Sequence, residues 1–192
     1  MSEGIRAFAD SRRDQDFGEL TSAGDDAGRV LRVGIGDFVV SNQKDDIITT
    51  IALGSCVAVC LWEPEARIAG MLHFMLPDSK LNAERARTQP AVFADLGIPL
   101  LFRAAYELGA EKKRCHVRLV GGAEVTGQRP QAIEGFFNVG PRNVLAARGV
   151  LWRNGIMTRG EAVGGNTVRS LSMSVADGRI AIKTDGVVVA EL

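Results

Sequence analysis

Residues 56–76 read CVAVCLWEPEARIAGMLHFML, two apolar runs (56–62 and 67–76) joined by the polar loop Glu63-Pro64-Glu65-Ala66. Runs of this length, parted by a proline that pre-sets a turn, predict an antiparallel hairpin. With a loop symmetric about Pro64 and Glu65, Glu63 faces Ala66, Trp62 faces Arg67 and Cys56 faces His73. Directly opposed residues share a face, with Cβ atoms about 4.5–5.5 Å apart. A thiol and an imidazole are thereby brought together by local pairing alone. A slip of one residue would send them to opposite faces.

The flanking sequence alternates strands and helices. Residues 30–40 are rich in β-branched side chains and broken by Gly34 and Gly36, and 47–53 reads as a strand. The stretch 77–89 is polar and reads as a mobile loop. Leu96, Leu100, Leu101, Ala104, Ala105 and Leu108 form one helical stripe that stops at Gly109, with Pro99 either in the first turn or at a kink. A short strand, 117–120, ends at Gly121-Gly122. A second helix opens at Pro141, carries Val144, Ala147, Arg148 and Leu151 on one face, and closes at Asn154-Gly155. Strands are expected at 155–158, 170–175, 179–184 and 187–192, with Asp177-Gly178 and Asp185-Gly186 as hairpin turns. From Arg29 on the pattern is that of a globular domain with both strands and helices.

With 192 residues the chain is sized for one domain. Its 23 basic and 23 acidic residues cancel, which gives no reason to expect a nucleic-acid partner. The cancellation is uneven. Residues 1–28 hold seven acids (Glu3, Asp10, Asp14, Asp16, Glu19, Asp25, Asp26) and three bases (Arg6, Arg12, Arg13), a net of −4 that leaves +4 on residues 29–192. Sparse apolar content predicts that 1–28 is a disordered acidic extension and that 29–192 is the folded domain. No apolar run approaches the ~18 residues of a spanning helix, so the protein is expected not to be inserted in a membrane. Three cysteines do not close a disulfide framework, and together with the lack of a signal peptide they point to a reducing, cytoplasmic setting.

Two readings of Cys56 stand at this point. In one it is a small buried hydrophobe, as most strand cysteines are. In the other His73 takes its proton and it acts as a nucleophile in acyl transfer. Gly54-Ser55, just before it, breaks the strand pattern and can turn backbone N–H groups outward as an oxyanion hole. Thr50, of like parity on the preceding strand, is a candidate to orient the imidazole. A zinc site from Cys56, Cys60, His73 and Cys115 is a further arrangement, though no CxxC knuckle is present. Cys60, Cys115 and His116 otherwise read as structural. Gly34-Ile35-Gly36 lacks the third glycine of a dinucleotide loop and there is no P-loop, so no cofactor is expected. Gly121, Gly122, Gly164, Gly165 and Asn166 either line a site through close backbone approach or form ordinary turns.

Leu53-Gly54-Ser55-Cys56-Val57-Ala58-Val59-Cys60 and Gly70-Met71-Leu72-His73-Phe74-Met75-Leu76-Pro77 resemble blocks of the CheD family of chemoreceptor glutamine deamidases. Val33-Gly34-Ile35-Gly36-Asp37, Gly121-Gly122-Ala123, Asn138-Val139-Gly140-Pro141-Arg142-Asn143 and Gly164-Gly165-Asn166 with Arg169 extend the resemblance across residues 30–185. It implies a single compact α/β domain, a sandwich of a mixed sheet with packed helices, and Cys56, His73 and Thr50 as catalytic residues. It also implies deamidation of receptor glutamines, with glutamyl methyl ester hydrolysis as a related activity. The implied partners are chemoreceptor cytoplasmic domains, in membrane receptor arrays, and a CheC-type phosphatase that such a protein would regulate as an adaptor.

Overall fold

The structure, a computed structural model, describes residues 5–7, 28–124 and 139–192. The expected extension 1–28 lies outside the described residues apart from Ile5–Ala7 and Gly28. The strands are β1 (Ile5–Ala7), β2 (Val30–Arg32), β3 (Asp37–Ser41), β4 (Ile47–Leu53), β5 (Val57–Glu63), β6 (Ile68–Phe74), β7 (His116–Gly121), β8 (Thr158–Val163), β9 (Arg169–Ser174), β10 (Ile180–Thr184) and β11 (Val187–Glu191). The α-helices are α1 (Ala83–Thr88), α2 (Ala94–Glu107) and α3 (Val139–Arg153).

Two mixed sheets form, one ordered β1-β3-β6-β5-β7-β8 and the other β11-β10-β9-β4-β2. The β5–β6 hairpin sits at the centre of the first. Val57, Val59, Leu61, Leu72 and Phe74 point to α2 and α3 and pack with Ile98, Leu101 and Ala147. Ala58, Cys60, Ala69 and Met71 point the other way, onto Ile48, Leu171, Met173 and Ile182 of the second sheet. Layers of helices, sheet and sheet result, so the expected α/β sandwich holds, with a whole second sheet as the third layer. A hairpin covered on both faces explains why its sequence is continuously apolar instead of alternating. Each large side chain so buried contributes roughly 1.5–3 kcal/mol.

The hairpin register differs from the expected one. Glu63 pairs with Ile68, Trp62 with Ala69 and Ala58 with His73. The loop therefore spans four residues, 64–67. Its cause is Glu63, whose fully buried carboxylate accepts the N–H groups of Glu65 (3.3 Å) and Ala66 (2.7 Å) and pairs with Arg114. Arg67 closes the loop at a left-handed φ of 52°. Burial alone would raise the Glu63 carboxyl. Arg114 and the two loop N–H groups outweigh it and hold the group below its ordinary value. Because the shift is by two residues, face parity survives, and Cys56 becomes a diagonal neighbour of His73 in place of a direct one.

Three other elements differ. Within the polar stretch 77–89, α1 forms behind an Asn82 cap whose side chain accepts the Arg85 N–H at 2.9 Å. Pro99 lies inside α2, beyond its first turn. The strand expected at 155–158 is β8, Thr158–Val163, which pairs parallel to β7 with α3 as the crossover. Its half-buried, partly polar residues masked it.

The sheets are braced at Trp62, whose indole N–H donates to the Val175 carbonyl at 3.2 Å. The Asp177-Gly178 turn lies flat on the ring: Gly178 has φ 70°, and an added Cβ would come within 2.3 Å of the indole. Gly178→Ala is therefore expected to destabilise the fold by about 2 kcal/mol, read as a lower urea midpoint at unchanged m-value.

Candidate active site

β4 belongs to the second sheet and β5 to the first, so the chain must cross between sheets at residues 54–56. The crossing begins with a bulge. Ile48 and Thr50 are buried, Ile51 and Ala52 are both exposed, and Leu53 is buried again. The β4–β9 register shifts between Thr50 and Leu53, and Ala52 takes a left-handed φ of 59°. Bulges of this kind re-aim a strand next to a functional site.

Each carbonyl of the crossing loop is held. The Ala123 N–H donates to the Gly54 oxygen (2.8 Å) and the Gly122 N–H to the Cys56 oxygen (2.7 Å). Asn143 Nδ2 donates to the Ser55 oxygen (2.9 Å) and also to the Met75 oxygen (2.8 Å). Gly121 must be glycine: its φ is 113°, and a Cβ there would lie 2.3 Å from the Cys56 carbonyl oxygen. Gly164 N–H in turn donates to the Gly121 oxygen at 2.9 Å. With its carbonyls tied inward, the loop leaves the Ser55 and Cys56 N–H groups without a backbone acceptor among the described residues.

His73 is 1% exposed and lies across β6 from Ala58 on one side and Asp37 on the other. Its Nδ1 is 2.8 Å from Thr50 Oγ1, and Thr50 Oγ1 is 2.7 Å from the Val33 carbonyl oxygen. A carbonyl only accepts, so the single hydroxyl hydrogen of Thr50 goes to Val33. Thr50 then accepts from the ring, which places the imidazole proton on Nδ1 and leaves Nε2 a bare lone pair. That Nε2 is buried and has no hydrogen-bond partner. Burial drives the imidazole pKa down to about 4. It also raises the Cys56 thiol, which its own backbone N–H pulls partly back. At neutral pH the resting pair is a neutral thiol and a neutral imidazole, not a preformed ion pair.

The structure thus joins Thr50 to His73 directly and sets the Gly54-Ser55-Cys56 loop on the same face of the hairpin. Gly121 and Gly122 brace that loop. Gly164, Gly165 and Asn166 line a cavity of about 410 Å³ with Glu124 and Pro141, adjoining the Gly121-Gly122 loop. The four-ligand zinc set is not assembled: Cys60 faces the second sheet, whereas Cys115 packs among the helices with its thiol on the Glu111 carbonyl. Among the described residues no three His, Cys, Asp or Glu side chains group as metal ligands. His116 stacks edge-on against Trp62. Sequence reasoning missed Asn143. Its signal was an amide on the apolar stripe of α3, beside Val144 and in line with Ala147 and Val150.

Residues 75–184 match the family model described as CheD chemotactic sensory transduction. The "Probable chemoreceptor glutamine deamidase CheD 1" of Syntrophus aciditrophicus is 42% identical over 160 residues, covering 83% of this chain and 97% of that protein. The "Probable chemoreceptor glutamine deamidase CheD" proteins of Solibacter usitatus and Syntrophotalea carbinolica are 40% and 42% identical, covering 80% and 81% of this chain and 88% and 94% of theirs. No helix among the described residues is long and apolar enough to cross a membrane.

The buried imidazole makes stability depend on acid. Its pKa in the fold lies below that of the unfolded chain, so the unfolded state takes up the proton first. The stabilisation is complete above pH ~6.5 and is lost as pH falls toward 4. Between pH 7 and pH 4 the wild type is expected to lose about 3 kcal/mol more than a His73→Leu variant, measured by urea unfolding at each pH.

Proposed function

The chain belongs to the CheD family, and from that premise we propose that it hydrolyses the side-chain amide of specific glutamines on chemoreceptor cytoplasmic domains, with Cys56 as nucleophile, His73 as base and acid, and Thr50 as the group that fixes the ring. The observation that carries this reading is the hydrogen-bond chain Val33–Thr50–His73, which leaves Nε2 deprotonated on the face that bears Cys56.

Substrate docking brings the amide carbon to Cys56. His73 Nε2 takes the thiol proton as the C–S bond forms, so the thiolate exists only as it attacks. The N–H groups of Ser55 and Cys56 receive the oxyanion. His73 then delivers its proton to the amide nitrogen, the C–N bond breaks and ammonia leaves. Water attacks the thioester, giving its proton to Nε2, and the C–S bond breaks to leave glutamate and regenerate the thiol. The same steps with methanol as leaving group hydrolyse a glutamyl methyl ester. Gly164, Gly165, Asn166 and Glu124 form the wall along which the receptor segment lies. No metal enters any step. A cytoplasmic position beside receptor arrays follows from the substrate.

Cys56→Ala is expected to abolish ammonia release and the amide-to-acid mass change on receptor peptides. Thr50→Val should keep the fold and lower kcat by roughly 10²-fold, because the ring loses its fixed tautomer. Full activity of Cys56→Ala would overturn the reading. Chemotactic signalling that survives Cys56→Ala but needs a CheC-type phosphatase would instead favour an adaptor role.

A further inference from the structure

Six polar or charged residues are buried among the described residues: Ser41, Asp46, Thr50, Glu63, His73 and Asn143. Those away from the site are satisfied. Ser41 donates to Asp46, Asp46 pairs with Arg29, and Glu63 pairs with Arg114. Among the described residues two buried side-chain nitrogen or oxygen atoms are left without a partner, and both are at the site: His73 Nε2 and Asn143 Oδ1. The first is the lone pair of the proposed base. The second belongs to a residue with no role so far.

Asn143 is fully buried on the inner face of α3, beside Val144 and Ala147. Both Nδ2 hydrogens are spent on carbonyls, which fixes the amide orientation and leaves Oδ1 as the bare acceptor. The two carbonyls are informative. One is Ser55, next to Cys56. The other is Met75, two residues past His73. A single rigid amide thus spans the loop of the thiol and the exit of the imidazole's strand. The β5–β6 ladder begins at Val57 and Phe74, and Asn143 carries the tie past that end, to the Ser55 loop and the Met75 exit. Its two donated bonds satisfy buried carbonyls, but its own acceptor stays unpaired, a cost that an apolar side chain at this place in the core would not carry.

We propose that Asn143 is a positioning residue of the reaction, a strap that sets the separation of Cys56 Sγ from His73 Nε2. This rests on the Cys56–His73 reading given above. Removing the strap releases the Ser55 carbonyl while the Gly54 and Cys56 carbonyls stay held, which lets the thiol's loop shift against the end of β6; displacements near 1 Å cost about 10²-fold in rate.

The test uses the full chain and two readouts. The first is steady-state deamidation of a receptor cytoplasmic domain. The second needs no substrate: the rate of Cys56 alkylation by iodoacetamide against pH, followed by peptide mass spectrometry. Asn143→Ala is expected to lower kcat by roughly 10- to 100-fold with KM within twofold. Its alkylation profile is expected to move to higher pH, toward that of a buried thiol uncoupled from its base. Asn143→Asp, equal in size but facing two carbonyls with lone pairs, should behave as the alanine variant. Asn143→Ser keeps one donor and should fall between; it decides the matter where the alanine variant does not fold. Wild-type kcat and an unmoved alkylation profile in these variants overturn the strap and leave the deamidase reading standing. If the wild type deamidates no receptor, the alkylation arm alone decides: an alkaline shift in Asn143→Ala supports the strap, and no shift overturns it.

Discussion

A hydroxyl has one hydrogen, and in Thr50 it is committed to the Val33 carbonyl. Everything at the site follows from that allocation. The ring must then donate from Nδ1, and the opposite nitrogen must be bare. Thr50 stands on β4 in one sheet and His73 on β6 in the other, so the contact that sets the tautomer is also a contact between layers. Sheets pack about 10 Å apart, a distance that a threonine and a histidine bridge only where their neighbours are small. Ala58 beside His73 and Ala69 further along the same face meet that need.

The distribution of polar burial separates what holds the fold from what serves the site. Glu63 and Arg114 set a turn, and Ser41, Asp46 and Arg29 tie down the ends of β3 and β4; their carboxylates are paired. At the junction of residues 54–56 the chain instead accepts a left-handed alanine, a glycine pressed on a carbonyl, and two unpartnered buried atoms. Among the described residues, unmet side-chain hydrogen bonding is confined to the site, whereas left-handed backbone also occurs in the turns at Arg67 and Asp185.

Much of this was readable from residue order because hairpin pairing is local. A loop symmetric about Pro64 and Glu65 already puts Cys56 and His73 on one face. The expected register was off by two since Glu63 folds its carboxylate back onto the loop, an interaction no propensity encodes; even parity preserved the face. Thr50 was found by the same alternation. β8 escaped because a parallel partner is specified by α3 packing and not by its own half-polar sequence. Asn143 escaped because the carbonyls it holds are 88 and 68 residues away in the chain. The second sheet was visible as strands, but nothing local said that they would stack on the first.

The three cysteines share one property with a consequence outside hydrolysis. Burial raises all three thiols, Cys60 to about 12 and Cys115 to about 11. Peroxides and disulfides react with thiolates, not thiols. At rest the chain therefore offers oxidants almost no anionic sulfur. On the proposed reading, a nucleophile that ionises only against a docked acyl group is spared the slow loss to sulfenic and sulfinic acids that a standing thiolate suffers, and desolvation is the main source of that protection.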